Sequence, residues 1–282
     1  MDYLLKYINK IMSEQHQGIP NFEGYSPIEM QYILYSIFDE DSPIKILELS
    51  ESDYNKIPIL NQIKYLLRLI EKKGELKMTA KGFLPTKVVS EIYGQKFIKD
   101  EMIEAGLSKL YKETDAMSIN LTRILSELSG LVKRRHNKLS LTKKGKLELN
   151  ENHRLLKTIF STFGEKFSWA YYDGYGDTQI GQLGFGFSLI LLSKYGSENR
   201  HHSFYSKKYL SAFPVLIEKL IPSKFDTVER QASSCYSIRT FDRFLNYFGL
   251  IHIISDGILN PDKDIKKTAL FDKLIDIRPP NY

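Results

Sequence analysis

The residues best suited to chemistry in this chain are basic, and they cluster. From Lys133 to Glu148, Lys133, Arg134, Arg135, Lys138, Lys143, Lys144 and Lys146 meet one acid. An earlier stretch sets Lys64, Arg68, Lys72, Lys73, Lys77, Lys81 and Lys87 against Glu71 and Glu75. Between Asn21 and Lys56 the balance is acidic, so the net charge of +6 is unevenly spread. Such asymmetry creates a positive field on one side of a molecule, which attracts polyanions, phosphates above all. The same charges would also suit a merely solvated surface.

Other chemistries find less support. Cys235 is the single cysteine, so neither an internal disulfide nor a cysteine-rich zinc site can form. Paired with His201, His202 or His252 it could be a nucleophile, but without a local motif it reads as a small core residue. His201 and His202 are adjacent, so on a straight helix or strand they would diverge, and no metal site is expected from them. His136 reads as a contact to phosphate or solvent. The glycines of Gly174-Tyr175-Gly176 and Gly181 to Gly186 lack a phosphate-loop lysine and read as turns. Asp53 with Glu75-Leu76-Lys77 has the residue types of a metal-dependent nuclease, but a helix rather than a mixed sheet separates them. The patch from Trp169 to Tyr175 would serve either base stacking or an aromatic core, and the core is the expected use. No cofactor is expected.

The elements that must position the basic residues are legible in part. Ser26-Pro27 with Glu29 predicts a capped helix start. Lys45 to Leu49 alternates like a short strand, and Tyr3 to Met12 has helical spacing. Ile59, Ile63, Leu66, Leu67 and Ile70 recur at steps of three and four, predicting an amphipathic helix from Pro58 to Gly74. A second stripe, Leu121, Ile124, Leu125 and Leu128, stops at Gly130. Leu131-Val132, the polar turn Arg135-His136-Asn137-Lys138 and Leu139-Ser140-Leu141 then predict a hairpin, and Thr142 an N-cap.

The phrase Leu-x-x-Thr-x-Lys-Gly occurs at Leu76–Gly82 and again at Leu139–Gly145. A third, degraded copy is expected near the end, where Gly249-Leu250-Ile251 echoes Gly130-Leu131-Val132 and Phe271 takes the glycine position. Helix, glycine stop, hairpin and capped helix in that order resemble the recognition helix and wing of winged-helix proteins, notably MarR-like and PadR-like regulators. Leu141-Thr142-Lys143-Lys144-Gly145 fits their wing-end phrase. The phrase is also similar to stretches in uncharacterised bacterial proteins, some with a SEC-C zinc-binding tail, for which this chain lacks the cysteines.

The resemblance implies a mainly α fold with small β-wings, in tandem winged-helix-like units joined by an aromatic-rich helical segment. The expected division is an N-terminal helical segment (1–55), a first unit (56–95), a second unit (96–150), an aromatic connector (151–220) and a third, degenerate unit (221–282). It implies double-stranded DNA as partner, contacted by Lys72, Lys73, Lys77, Lys81, Arg123, Lys133, Arg134, Arg135, Lys138, Lys143 and Lys144. Lys143 and Lys144 stand in the first turn of a helix, where the macrodipole disfavours cations unless an anion is near. The outward face of the recognition helix, Asn120, Thr122, Arg123, Ser126 and Glu127, is a sparse set for reading bases. A protein-interaction scaffold for an acidic partner is the alternative, and an enzyme whose residues converge only in the fold is the third class. The longest apolar run, Phe185 to Leu192, is far below the ~20 residues that span a bilayer. The N-terminus lacks a signal-peptide pattern. A non-enzymatic cytoplasmic protein is therefore expected.

Overall fold

Local sequence dictates where the first helices begin and stop. Glu29 Oε2 accepts from Ser26 N at 2.9 Å, and Ser26 Oγ accepts from Glu29 N, closing a capping box at the start of α1 (Pro27–Tyr35). The computed structural model describes residues 16–218, 220, 226–257 and 260–281, so the expected Tyr3–Met12 helix lies outside the described residues. Strand β1 (Ile44–Ile46) follows, then α2 (Pro58–Lys73), which buries Ile59, Ile63, Leu66, Leu67 and Ile70. It stops at Gly74, whose φ of 73° is open to glycine and strained for other residues.

Next come β2 (Leu76–Lys77), α3 (Thr86–Tyr93), α4 (Met117–Leu128), the hairpin β3 (Val132–Arg135) and β4 (Lys138–Leu141), α5 (Lys143–Glu148) and α6 (Asn152–Ser161). A π-helical stretch, Thr162–Lys166, leads into a loop that reaches Gly184. The second half holds α7 (Phe185–Tyr195), β5 (Arg200–His201), α8 (His202–Ala212) and α9 (Val228–Ser237), which continues as a π-helix through Ile238–Leu245. Strands β6 (Ile251–Ile254) and β7 (Asp264–Lys267), helix α10 (Ala269–Leu274) and β8 (Ile275–Ile277) close the chain. The protein is mainly helical with small antiparallel sheets, ordered β1-β8, β2-β4-β3 and β5-β7-β6.

One succession occurs twice: helix, short strand, two helices, hairpin, capped helix. Thr142 N donates to Leu131 O and its hydroxyl to Gly130 O, while Gly145 N donates back to Thr142 Oγ1. Thr268 repeats this with Leu250 O, Gly249 O and Phe271 N. The short strands lock alike, with Met78 N donating to Asn137 O at 2.8 Å and His202 N to Lys263 O at 3.0 Å.

The two closest sequence copies are not structural copies. Thr79 closes a tight turn, accepting from Phe83 N at 3.0 Å, whereas Thr142 caps a helix. Leu76 and Leu139 are partners across one sheet, so 56–95 forms no hairpin of its own and its strand β2 instead joins the β3-β4 hairpin of 96–150. That sheet crosses the expected boundary at 95/96, and β5, in the expected connector, pairs with β7 beyond 221. Two residues of strand are too few to show a period in sequence, which is why the long-range pairing was hidden.

Aromatic rings join the halves. Phe160 lies 4.6 Å from Phe248 and 5.0 Å from Phe244, and Trp169 lies 4.8 Å from Phe244. Trp169 is buried and donates from Nε1 to Phe163 O at 2.8 Å, so it is core and not a stacking platform. The expected helix across this aromatic patch gives way to the loop.

Asp53 ties the early chain to its end. Its carboxylate accepts from Lys56 and Ser50, and from Lys273 of α10 at 2.9 Å. The Lys56 and Lys273 ammonium groups and the Ser50 hydroxyl hold it far below the ordinary aspartate range. A depressed carboxylate contributes stability above its unfolded pKa and loses it as pH falls. Asp53→Asn is therefore expected to be less stable than wild type at pH 7, with the gap closing below about pH 4. Urea melts at pH 7 and pH 3 check this.

Candidate nucleic-acid interface

The β2-β4-β3 sheet has two unlike faces because side chains alternate along a strand. Leu76, Val132, Leu139 and Leu141 point into the core. Directly opposite partners share a face, so the register Lys77↔Lys138↔Arg135 lines three cations in one row. Lys133, two residues before Arg135, joins that face beside Ser140. All four cations are exposed.

Glu75 meets this face. Lys138 Nζ donates to Glu75 Oε2 at 2.7 Å, and that bond, with the charges of Lys138 and then Lys133, lowers the carboxyl pKa. Lys77, Lys133 and Arg135 have no ion-pair partner among the described residues. Those three cations can meet phosphates without first breaking a salt bridge, whereas Lys138 must share its charge with Glu75.

The hairpin tip is formed by His136 (φ 50°) and Asn137 (φ 54°), the two positive φ values of a type I′ turn. Ala80, Lys81, Gly82, Arg134, His136 and Asn137 line a shallow groove of about 520 Å³ there. Gly82 suits this tip because its φ is 78°, a backbone conformation that residues with a Cβ rarely adopt. The first phrase thus delivers Lys81 to the tip of the β3-β4 hairpin.

The remaining predicted contacts divide. Lys72 and Lys73 are exposed at the end of α2, and Lys143 is exposed on α5, at the end of the hairpin away from the tip. Lys144 donates to Ser129 O at 3.0 Å and lies 3.9 Å from Glu148. The carbonyl end of α4 thus compensates a cation whose position had suggested an external anion. Arg134 lies 3.7 Å from Glu127.

Arg123 is a correction. It is 8% exposed, donating from Nε to Glu113 Oε1 at 2.7 Å and from Nη1 to Glu127 Oε1 at 2.6 Å. Glu113, fully buried, also accepts from Leu84 N and Asn120 Nδ2. Thr122 receives Gln62 Nε2 at 2.8 Å, and Ser126 donates to Thr122 O. Of the polar residues of α4 that were expected to face outward, Asn120, Thr122, Arg123 and Ser126 are inside, each bonded, and Glu127 is half-buried. The pattern of α4 gave no warning, since a polar residue with a buried partner has the same letter as an exposed one. Arg123→Met is expected to lower stability by about 2–3 kcal/mol, the loss of hydrogen bonds to a charged group. Duplex affinity of the folded variant should change less than twofold, which paired chemical denaturation and anisotropy titrations would show.

Other candidates dissolve or move. Burial pushes the Cys235 thiol up to about 12, so it is no thiolate nucleophile. Asp53 and Glu75 have separate lysine partners and no shared site. Sequence missed Arg239, buried and bonded to Asp173 and three loop carbonyls, for it belongs to no local motif. Among the described residues no helix is long and apolar enough to cross a membrane.

Geometry and comparison agree on one unit. The Y4jL N-terminal domain family matches residues 55–154, from just before α2 into α6. The chain is similar to that domain over the first of its two repeated arrangements. No curated protein and no solved structure matches.

Proposed function

We propose that the chain is a non-enzymatic protein of two winged-helix-like units that holds double-stranded DNA by its phosphates on the outer face of β2-β4-β3. The reading rests on one observation: Lys77, Lys138 and Arg135 in a register row, with Lys133 on the same face. The order α2, β2, α3, α4, β3, β4 resembles a winged-helix unit, and the second succession repeats it. Because α4 turns its polar side chains inward, the contact would follow the backbone and tolerate many sequences. Lys72, Lys73, Lys81 and Lys143 would extend the positive field.

The test is a fluorescence-anisotropy titration of labelled duplexes of unrelated sequence, with wild type and with Lys133→Glu/Arg135→Glu. Similar affinities for all duplexes, lost in the variant, support the reading. Undiminished binding by the variant would sink it. Capture of one stoichiometric acidic protein without nucleic acid would favour the scaffold role instead.

A further inference from the structure

The second repeated arrangement carries a different outer face. Its sheet presents His252, Lys266, Ile254 and His201 to solvent, not a cationic row. His201 pairs in register with Asp264, and the backbone bond from His202 N to Lys263 O pins the strand-to-helix junction against the start of β7. Asp262 lies one residue before that anchor.

Adjacent histidines diverge on a straight strand or helix, but these two straddle the junction. His201 ends β5 in extended backbone (φ −58°, ψ 140°) and N-caps α8, of which His202 is the first residue. The turn of the chain there brings the rings together, with centroids 4.4 Å apart. One ligand atom from each of His201, His202 and Asp262 lies within 4.8 Å of the others. The expectation that the two histidines could not converge is therefore overturned by where the strand ends.

We propose that His201, His202 and Asp262 bind a divalent transition-metal ion of the zinc class. Two features support the assignment. His202 is 8% exposed, and its Nδ1 is buried with no hydrogen-bond partner. His201 Nδ1 lies 2.7 Å from Ser203 Oγ, which can accept the Nδ1–H of a ring ligating through Nε2. The longer contact from the Ser203 amide, 3.4 Å, is given up in that tautomer.

His201 Nε2 already lies 3.6 Å from Asp262 Oδ1. Metal–ligand bonds of about 2.0–2.2 Å in tetrahedral geometry place donors ~3.4 Å apart. Rotation of the two exposed side chains, His201 and Asp262, closes the rest. Two nitrogens and one carboxylate suit Zn²⁺ and leave a coordination position for water or a ligand. The site opens onto a cleft of about 810 Å³ between α8 and α9, whose wall includes Ser206 and Ser233, joined at 2.6 Å, and Arg230. An anionic group entering that cleft would find both the metal and the Arg230 guanidinium.

The experiment is a Zn²⁺ titration of the full chain, purified without a histidine tag, by calorimetry, with Co²⁺ absorption as a second readout. One ion per chain with micromolar or tighter Kd, and the visible bands of four-coordinate Co²⁺, are expected. His201→Gln and Asp262→Asn alter exposed side chains and should each weaken binding at least tenfold, and Asp262→Asn should leave the melting of the metal-free protein unchanged. His136→Gln, at the other hairpin, should leave binding intact. Absence of stoichiometric binding, or binding unchanged in both site variants, would overturn the assignment.

Discussion

Arg239→Ala is expected to cost about 3–5 kcal/mol of folding stability, a large share of what holds a domain together. The guanidinium is fully buried on the π-helical continuation of α9 and faces an equally buried Asp173. Its other donors serve Thr178 O, Ile180 O at 3.2 Å and Gly176 O at 3.1 Å. Those carbonyls belong to the loop between Lys166 and Phe185, which has no strand or helix to bond them, so one arginine does the work of a ladder. One turn on, Arg243 donates to Tyr171 O and Tyr172 O at 2.9 and 3.0 Å. Truncation leaves Asp173 as a buried, uncompensated charge and several carbonyls without donors. Arg239→Lys keeps the charge but loses the planar fork, and should recover only part of the loss. Urea denaturation of the three proteins decides it. A loss below about 1 kcal/mol for Arg239→Ala would mean that water replaces these bonds.

The second large effect is on binding. An exposed cation and a phosphate 4 Å apart attract by about 1 kcal/mol in water, and reversing the charge makes that a similar repulsion. Two reversals, Lys133→Glu and Arg135→Glu, therefore change roughly 4 kcal/mol before screening and about 100-fold in affinity after it. Both side chains are exposed on a sheet whose other face is packed, so the fold should tolerate them. Lys138 shares the face but is occupied by Glu75. Lys138→Glu should weaken binding less than either of the other two reversals, since part of its charge is already spent locally. Glu75→Gln should strengthen binding by freeing it.

What the sequence revealed depended on how local the physics is. The stripe of α2, its glycine stop and the Ser26–Glu29 box are short-range, and they stand where the spacing placed them. The Arg135-His136-Asn137-Lys138 turn was legible because the two strands flanking it alternate. Pairing of Leu76 with Leu139 was not, for more than sixty residues separate them and β2 is too short to show a period. The likeness of Leu76–Gly82 to Leu139–Gly145 suggested duplication, but the hydrogen bonds follow the degraded copy expected near the end, relating Gly130-Leu131 and Thr142 to Gly249-Leu250 and Thr268. The other ten basic residues singled out are exposed, but Arg123 is buried because its acid partner Glu113 lies ten residues away, at the start of a short 3-10 helix. The His201–His202 junction was invisible because it depends on where a two-residue strand turns into a helix.

The central claim, that the cationic face of β2-β4-β3 holds duplex phosphates, is tested most directly by the salt dependence of binding. With contacts from Lys77, Lys133, Lys138 and Arg135, a plot of log affinity against log salt should have a slope near −3.6, or about a 150-fold loss between 50 and 200 mM. The slope should be the same for duplexes of unrelated sequence, and Lys133→Glu/Arg135→Glu should flatten it by about 2. A slope near zero, or a wild-type slope retained by that variant, would contradict the account.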